Sequence, residues 1–289
     1  MNAIRLIDGI GPIADQYDLF LLDQWGVLHN GEAAHPEAIE AMRRLRHAAK
    51  SIVLISNSSK RSPSSVGNLE RLGVERGLYD DVITSGEMAW QEMKAGTVPF
   101  LRDLGPRCFL FTWGGDASFL KGLRFTAVDT VDDADFLLLA GTSGANIGIY
   151  EDELRAGIRR GLPMVCLNRD YGSVDPAGRL VECSGKVAAR YEALGGKVRY
   201  YGKPGREIYE AAFARAPGSH RHPIIIGDSL HHDIAGGRAA GIGTIFITAG
   251  IHSFDLGIRA GETPSAQAVT ALCKKEGVCP DFAMAKLVW

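Results

Sequence analysis

Nowhere in the 289 residues do apolar side chains run on for the roughly 20 positions that a membrane helix needs; the most apolar stretches, 136–140 and 224–226, are both cut short by charge or glycine. A membrane is therefore not an expected partner. Charge of one sign is missing as well. Lys and Arg total 32 against 34 for Asp and Glu, so nothing in the overall balance attracts a phosphate backbone, and nucleic acid is not expected either. Cysteine is sparse and unpaired by spacing. Cys108, Cys166, Cys183, Cys273 and Cys279 make five, with no two-residue spacing among them. That argues against a zinc knuckle or dithiol redox motif and for reduced, mostly buried thiols. The first residues lack a basic start, an uninterrupted apolar run and a small-residue cleavage site, so no secretory signal is expected and a cytoplasmic location is. Familiar motifs fail on spacing too. Leu180 stands where the first glycine of a P-loop belongs and Val187 follows Lys186. Gly141-Thr142-Ser143-Gly144 is not a nucleophile elbow. No Gly-x-Gly-x-x-Gly follows the first strand, which disfavours a dinucleotide fold.

What is present is the mixture of a soluble globular protein, 46% hydrophobic and 23% charged, of a length that fits two domains of about 100–200 residues each. Glycine is high at 35 residues, which implies many tight turns. Runs rich in Val, Ile, Leu and Phe alternate with helix-period segments, the pattern of a parallel sheet covered by helices. Strands are expected over 18–22, 52–56, 198–201, 223–227 and 243–248, and helices over 36–50 and 206–215. Residues 84–196 read as a second α/β unit with strands over 108–112, 135–140 and 164–168. It interrupts a first unit made of 1–83 and 197–289, because the chemically potent strand ends lie on both sides of it.

Ligands of open α/β sheets bind outside the carboxyl ends of the strands, so those ends matter most. Four stand out. Leu22-Asp23-Gln24-Trp25-Gly26 puts a carboxylate at a sharp turn, where it is either exposed as a nucleophile or caps the next helix. Ser56-Asn57-Ser58-Ser59-Lys60 offers a cluster of donors suited to phosphate oxygens, or an ordinary capped turn. Tyr201-Gly202-Lys203-Pro204 holds an ammonium that neutralises charge on a transferring phosphoryl group, unless it is simply a solvated lysine. Gly227-Asp228-Ser229-Leu230-His231-His232-Asp233 places two carboxylates across a loop that opens a helix, one suited to a hard divalent cation, the second to anchoring the loop, a metal-bound water or a helix N-cap.

In this order and at these strand ends, the four segments resemble the haloacid dehalogenase superfamily, specifically its NagD-like class with a large α/β cap between the second and third motifs. Val27-Leu28-His29-Asn30-Gly31, Leu167-Asn168-Arg169-Asp170 and the segment 235–241 add to the likeness. The resemblance implies a Rossmann-like parallel-sheet core with an inserted cap, acting as a Mg²⁺-dependent phosphohydrolase of small phosphorylated metabolites. Asp23 would form an aspartyl-phosphate, Ser56 and the Asn57 amide would hold phosphoryl oxygens, and Lys203 would neutralise them. Asp23, the Trp25 carbonyl and Asp228 would ligate Mg²⁺ with Asp233 behind them. Cap-mediated homodimers are common among similar proteins.

One position departs from the pattern. Phosphatases of the superfamily read Asp-x-Asp in the first motif, the second Asp protonating the leaving group and later activating water, and here that position is Trp25. Losing such a group removes about 10²–10⁴-fold of rate, less for an acidic leaving group. His29, His231 and a metal-bound water are the candidates to replace it. Three readings result: a phosphatase with a substitute proton source; a non-catalytic binder of phosphorylated metabolites; and dehalogenase-like chemistry, which the intact Asp228 to Asp233 loop and Lys203 disfavour. Asn168, Arg169 and Asp170 of the cap, with Tyr171, are expected to face the substrate, Arg169 pairing with a second anionic group.

Overall fold

The computed structural model describes residues 4–143, 146–258 and 262–289. In chain order its strands are β1 (Arg5–Leu6), β2 (Leu19–Leu22), β3 (Ser51–Ser56), β4 (Asp81–Thr84), β5 (Arg107–Phe111), β6 (Thr126–Val128), β7 (Phe136–Leu139), β8 (Met164–Cys166), β9 (Gly172–Val174), β10 (Leu180–Glu182), β11 (Val198–Tyr200), β12 (Pro223–Gly227), β13 (Gly243–Ile247) and β14 (Phe282–Met284). Seven of them form one sheet in the order β1-β14-β13-β12-β2-β3-β4, with every neighbouring pair parallel. Central parallel strands are covered on both faces, so they read as continuous apolar runs rather than alternating ones. Phe20, Leu22, Ile52, Leu54, Ile224 and Ile226 pack on one face with Ala38, Met42 and Leu45 of the helix Pro36–His47. Their immediate neighbours Leu19, Leu21, Val53, Ile55 and Ile225 pack on the other with Ile208, Tyr209 and Ala212 of the helix Arg206–Arg215. The two-residue period of a strand thus divides one apolar run between two cores.

Between β4 and the return of the chain lies a second parallel sheet, ordered β11-β8-β7-β5-β6, and a separate antiparallel hairpin of β9 and β10 in which Leu180 faces Val174. This sheet also has two cores: Phe136, Leu138 and Val165 meet Ala89 and Met93 of the helix Ser85–Ala95, while Leu137, Leu139, Met164 and Cys166 meet Val187 and Tyr191 of the helix Ser184–Ala193. The architecture is an α/β Rossmann-like core with an inserted α/β cap.

The expected core strand over 198–201 is corrected: Val198, Arg199 and Tyr200 pair with Met164, Val165 and Cys166, as the edge of the cap sheet. The second core segment therefore begins after Tyr200 rather than at residue 197. Among the described residues no helix is long and apolar enough to cross a membrane.

Candidate active site

Strands β2, β3 and β12 are adjacent and in register, Leu22 lying opposite both Leu54 and Ile226. Their carboxyl ends therefore open on one side, and Asp23 begins there, its backbone N–H donating to Ile226 O at 3.0 Å. Two glycines let the loops close in. Gly26 has φ +81°, and a Cβ there would fall 2.2 Å from Asp228 Oδ2. Gly202 has φ +97°, and a Cβ would fall 2.3 Å from Asn57 Oδ1. Only glycine takes that backbone conformation without strain, and only glycine leaves the room.

Lys203 is the centre of the arrangement. It is 2% exposed, and its Nζ lies 2.6 Å from Asp23 Oδ1 and 2.7 Å from Asp233 Oδ1. The other Asp233 oxygen accepts from Ser229 N at 3.1 Å. Asp228 Oδ2 accepts from Ile251 N at 3.0 Å. Asn57 does not offer its side chain to a ligand. It clamps the lysine's backbone, accepting from Lys203 N at 2.6 Å and donating to Lys203 O at 3.1 Å, and it reaches the cap by donating to Asp170 Oδ1 at 2.8 Å.

One oxygen each from Asp23, Asp228 and Asp233 lies within 4.8 Å of the others. Three buried carboxylates against one ammonium leave an uncompensated negative charge, and the protein resists it: burial and the neighbouring carboxylates push the Asp23 and Asp228 carboxyls upward, although Lys203 opposes this. Lys203 is held protonated, against the cost of its burial, by Asp23 and Asp233. A hard divalent cation with an all-oxygen donor set fits the charge and chemistry of this cluster. The fit lies mainly with Asp23 and Asp228, since both oxygens of Asp233 are already committed.

These groups line a cavity of about 440 Å³ between core and cap, together with Trp25, His29, Ser56, Lys60, Asn168, Asp170, Tyr171, Val174, His231 and His232. Arg169 is not part of that wall; its guanidinium lies 4.7 Å over the Tyr200 ring, where cation–π attraction holds it. The guanidinium, expected to face the substrate, thus rests on the Tyr200 ring rather than on the cavity wall. Lys60 is the further cationic side chain on the wall, which the sequence reading noted only as part of a donor-rich turn. Of the two imidazoles singled out by sequence, His29 is 4% exposed. Its Nδ1 accepts from Gly31 N at 3.2 Å, and burial pulls it down to about 4. His231 Nε2 is paired with Glu276 at 2.9 Å.

Sequence reasoning missed His232 and Ser229. The imidazole Nδ1 lies 2.9 Å from Ser229 Oγ and 3.4 Å from Asp170 Oδ1, so it stands between the core loop and the cap. Its place beside His231 and Asp233 was the available signal. Trp25 is also more than a substitution. Its Nε1–H donates to Val174 O at 2.9 Å, joining the first-motif loop to the cap hairpin.

A family model described as haloacid dehalogenase-like hydrolase matches residues 20–126, and a second, HAD-hydrolase-like, matches 200–273. The chain is 25% identical over 241 residues to D-glycerol 3-phosphate phosphatase of Mycobacterium tuberculosis, covering 83% of this chain but only 65% of that protein. It is 26% identical over 232 residues to the ribonucleotide monophosphatase NagD of Escherichia coli, covering 80% of this chain and 87% of that one. A haloacid dehalogenase-like hydrolase of Brucella suis superposes with a TM-score of 0.81 at 28% identity, over 98% of this chain and 100% of the other.

Proposed function

The chain belongs to the haloacid dehalogenase-like hydrolases, in their NagD-like class with an α/β cap, and on that premise we propose that it is a phosphatase that cleaves small phosphorylated metabolites through an aspartyl-phosphate on Asp23. The observation that carries this reading is the Lys203 ammonium seated between Asp23 and Asp233, with Asp228 across from them at the same strand ends.

Asp23 presents a carboxylate oxygen to phosphorus, while Lys203 stabilises charge on the equatorial oxygens without reorganising, because Asn57 and Asp233 already fix it. Ser56, on the cavity wall, and the backbone amide of Asn57 hold a phosphoryl oxygen. Asp23, Asp228 and the main-chain carbonyl of Trp25 are the groups that would hold Mg²⁺, with Asp233 behind them. When bound, the ion supplies charge neutralisation and orientation of the phosphoryl group. The carbonyl role survives the change of side chain at position 25. Asn168 and Asp170 stand on the cap side of the cavity, and its position between two domains suits a small metabolite rather than a phosphoprotein.

The test is phosphate release from a panel of sugar phosphates, nucleotides, pyridoxal phosphate and acyl and aryl phosphates, with Mg²⁺ or with chelator. Turnover that requires the ion and disappears in Asp23→Asn is expected. Folded protein that binds Mg²⁺ yet releases no phosphate from any of them would instead favour a binder of phosphorylated metabolites.

A further inference from the structure

Breaking a phosphoester leaves the bonding pair on the departing oxygen. An alkoxide is too basic to leave without a proton, whereas a carboxylate or phenolate departs as it is. Absence of the donor therefore costs about 10²–10⁴-fold for the first kind and much less for the second. At position 25 the only exchangeable side-chain proton is the indole Nε1–H, and it is spent on Val174 O at 2.9 Å. The ring is also wedged in place, edge-on to His29 with centroids 5.6 Å apart. It presses on Gly31, where a Cβ would fall 2.4 Å from the indole Cη2. The nearby imidazoles each have at least one ring nitrogen engaged, and none of them stands at position 25. His231 Nε2 pairs with Glu276, and His232 Nδ1 lies on the Ser229 hydroxyl. His252 Nε2 accepts from Leu230 N while its Nδ1 faces Asp255. The cap carboxylate Asp170 accepts from the Asn57 carboxamide.

We infer that the substrate carries its phosphoryl group on an already acidic oxygen, as in an acyl phosphate or an aryl or enolic phosphate, and is not the phosphate ester of an ordinary alcohol. The inference rests on the phosphatase reading. An Asp23 carboxylate oxygen bonds to phosphorus as the P–O bond to the leaving group breaks, and the electron pair departs on a carboxylate or phenolate that takes no proton. Water then attacks phosphorus, the Asp23 carboxylate leaves with its pair, and both protons of the water end on dihydrogen phosphate. Here too the leaving group is a carboxylate, so neither cleavage needs an acid.

The experiment is a series of kcat/KM values with Mg²⁺ for acetyl phosphate, phenyl phosphates of graded phenol acidity and glycerol 3-phosphate. The expected result is a steep fall as leaving-group basicity rises, about 10²–10⁴-fold from acetyl phosphate to glycerol 3-phosphate. Trp25→Asp should flatten the series by raising the glycerol phosphate rate. Whether acetyl or phenyl phosphates lead distinguishes an acyl from an aryl or enolic source. Wild-type rates within tenfold across the series, lost in Asp23→Asn, would overturn the inference and keep the phosphatase. No Asp23-dependent phosphate release from any member would overturn both. The wild-type series decides even if Trp25→Asp does not fold.

Discussion

Replacing Lys203 by methionine removes a charge while nearly keeping a volume, and the structure sets the consequence. The ammonium is 2% exposed and contacts two carboxylates at 2.6 and 2.7 Å. Breaking a buried ion pair from one side leaves the partner's charge uncompensated, at a cost of about 3–5 kcal/mol. At roughly 2–4 °C per kcal/mol for a chain of this size, that is a fall in Tm of about 6–20 °C in metal-free buffer at pH 7.5. The pH dependence has a definite sign. The Asp23 and Asp228 carboxyls are raised above their ordinary values by burial and mutual repulsion. Protonation is thus easier in the folded than in the unfolded chain, and stability from these groups is gained as pH falls through their folded values and lost as it rises. Without Lys203 they rise further, so the deficit of Lys203→Met should shrink between pH 7.5 and 5.5. Mg²⁺ should restore part of it at pH 7.5. Thermal unfolding followed by circular dichroism, with and without the ion, reads all three. A variant that melts with the wild type at pH 7.5 without metal would refute the argument that Lys203 is the counter-ion of this cluster.

Asn57→Leu removes the clamp on the lysine's backbone and leaves Lys203 N and O without their partner; a loss of about 2–4 kcal/mol is expected by chemical denaturation, together with a reduced kcat. Mg²⁺ binding must displace protons from carboxyls that sit above their ordinary range, so affinity measured by titration calorimetry should weaken as pH falls from 7.5 to 5.5, with proton release that varies between buffers of different ionisation enthalpy. Trp25→Phe keeps a ring but deletes the donor to Val174 O, an exposed bond worth about 0.5–1.5 kcal/mol. Faster limited proteolysis within residues 172–182 is the expected sign that the hairpin is held from the core.

The parts of the fold that were legible are those in which one physical cause dominates. Buried parallel strands must be apolar throughout and must end where the chain meets solvent or ligand, so Asp23, Ser56 and Asp228 announced themselves as ends of β2, β3 and β12. Strand β11 carried no such mark. Its three residues are half-buried, and which of two parallel sheets they join depends on pairing with β8 rather than on their own composition. The hairpin of β9 and β10 was invisible for the same reason, being short and partly exposed on both strands. Arg169 shows the limit for a site residue. Its charge suggested an anion partner, but the Tyr200 ring, which no spacing rule ties to it, decides where the guanidinium rests.

Trp25 joins these two kinds of knowledge. Its identity was plain in the sequence, and so was the loss of a carboxyl beside the nucleophile; its bond to Val174, 149 residues away, was not. The two together make the substitution coherent. In the arrangement proposed for the first-motif loop, position 25 has two separable duties, a backbone oxygen toward the cation and a side chain that serves the leaving group and later the attacking water. Tryptophan leaves the first intact, along with the Asp23, Lys203 and Asp233 contacts on which the proposed phosphoryl transfer would depend. It converts the second from proton donation into attachment of the cap. A site that merely bound a phosphorylated ligand would need Asp23 only to hold a cation, not to stand 2.6 Å from a buried lysine. A site that cleaved alkyl esters would need the acid it lacks. Acidic leaving groups satisfy both conditions, which is why the dependence of rate on leaving-group basicity, rather than turnover alone, separates the readings.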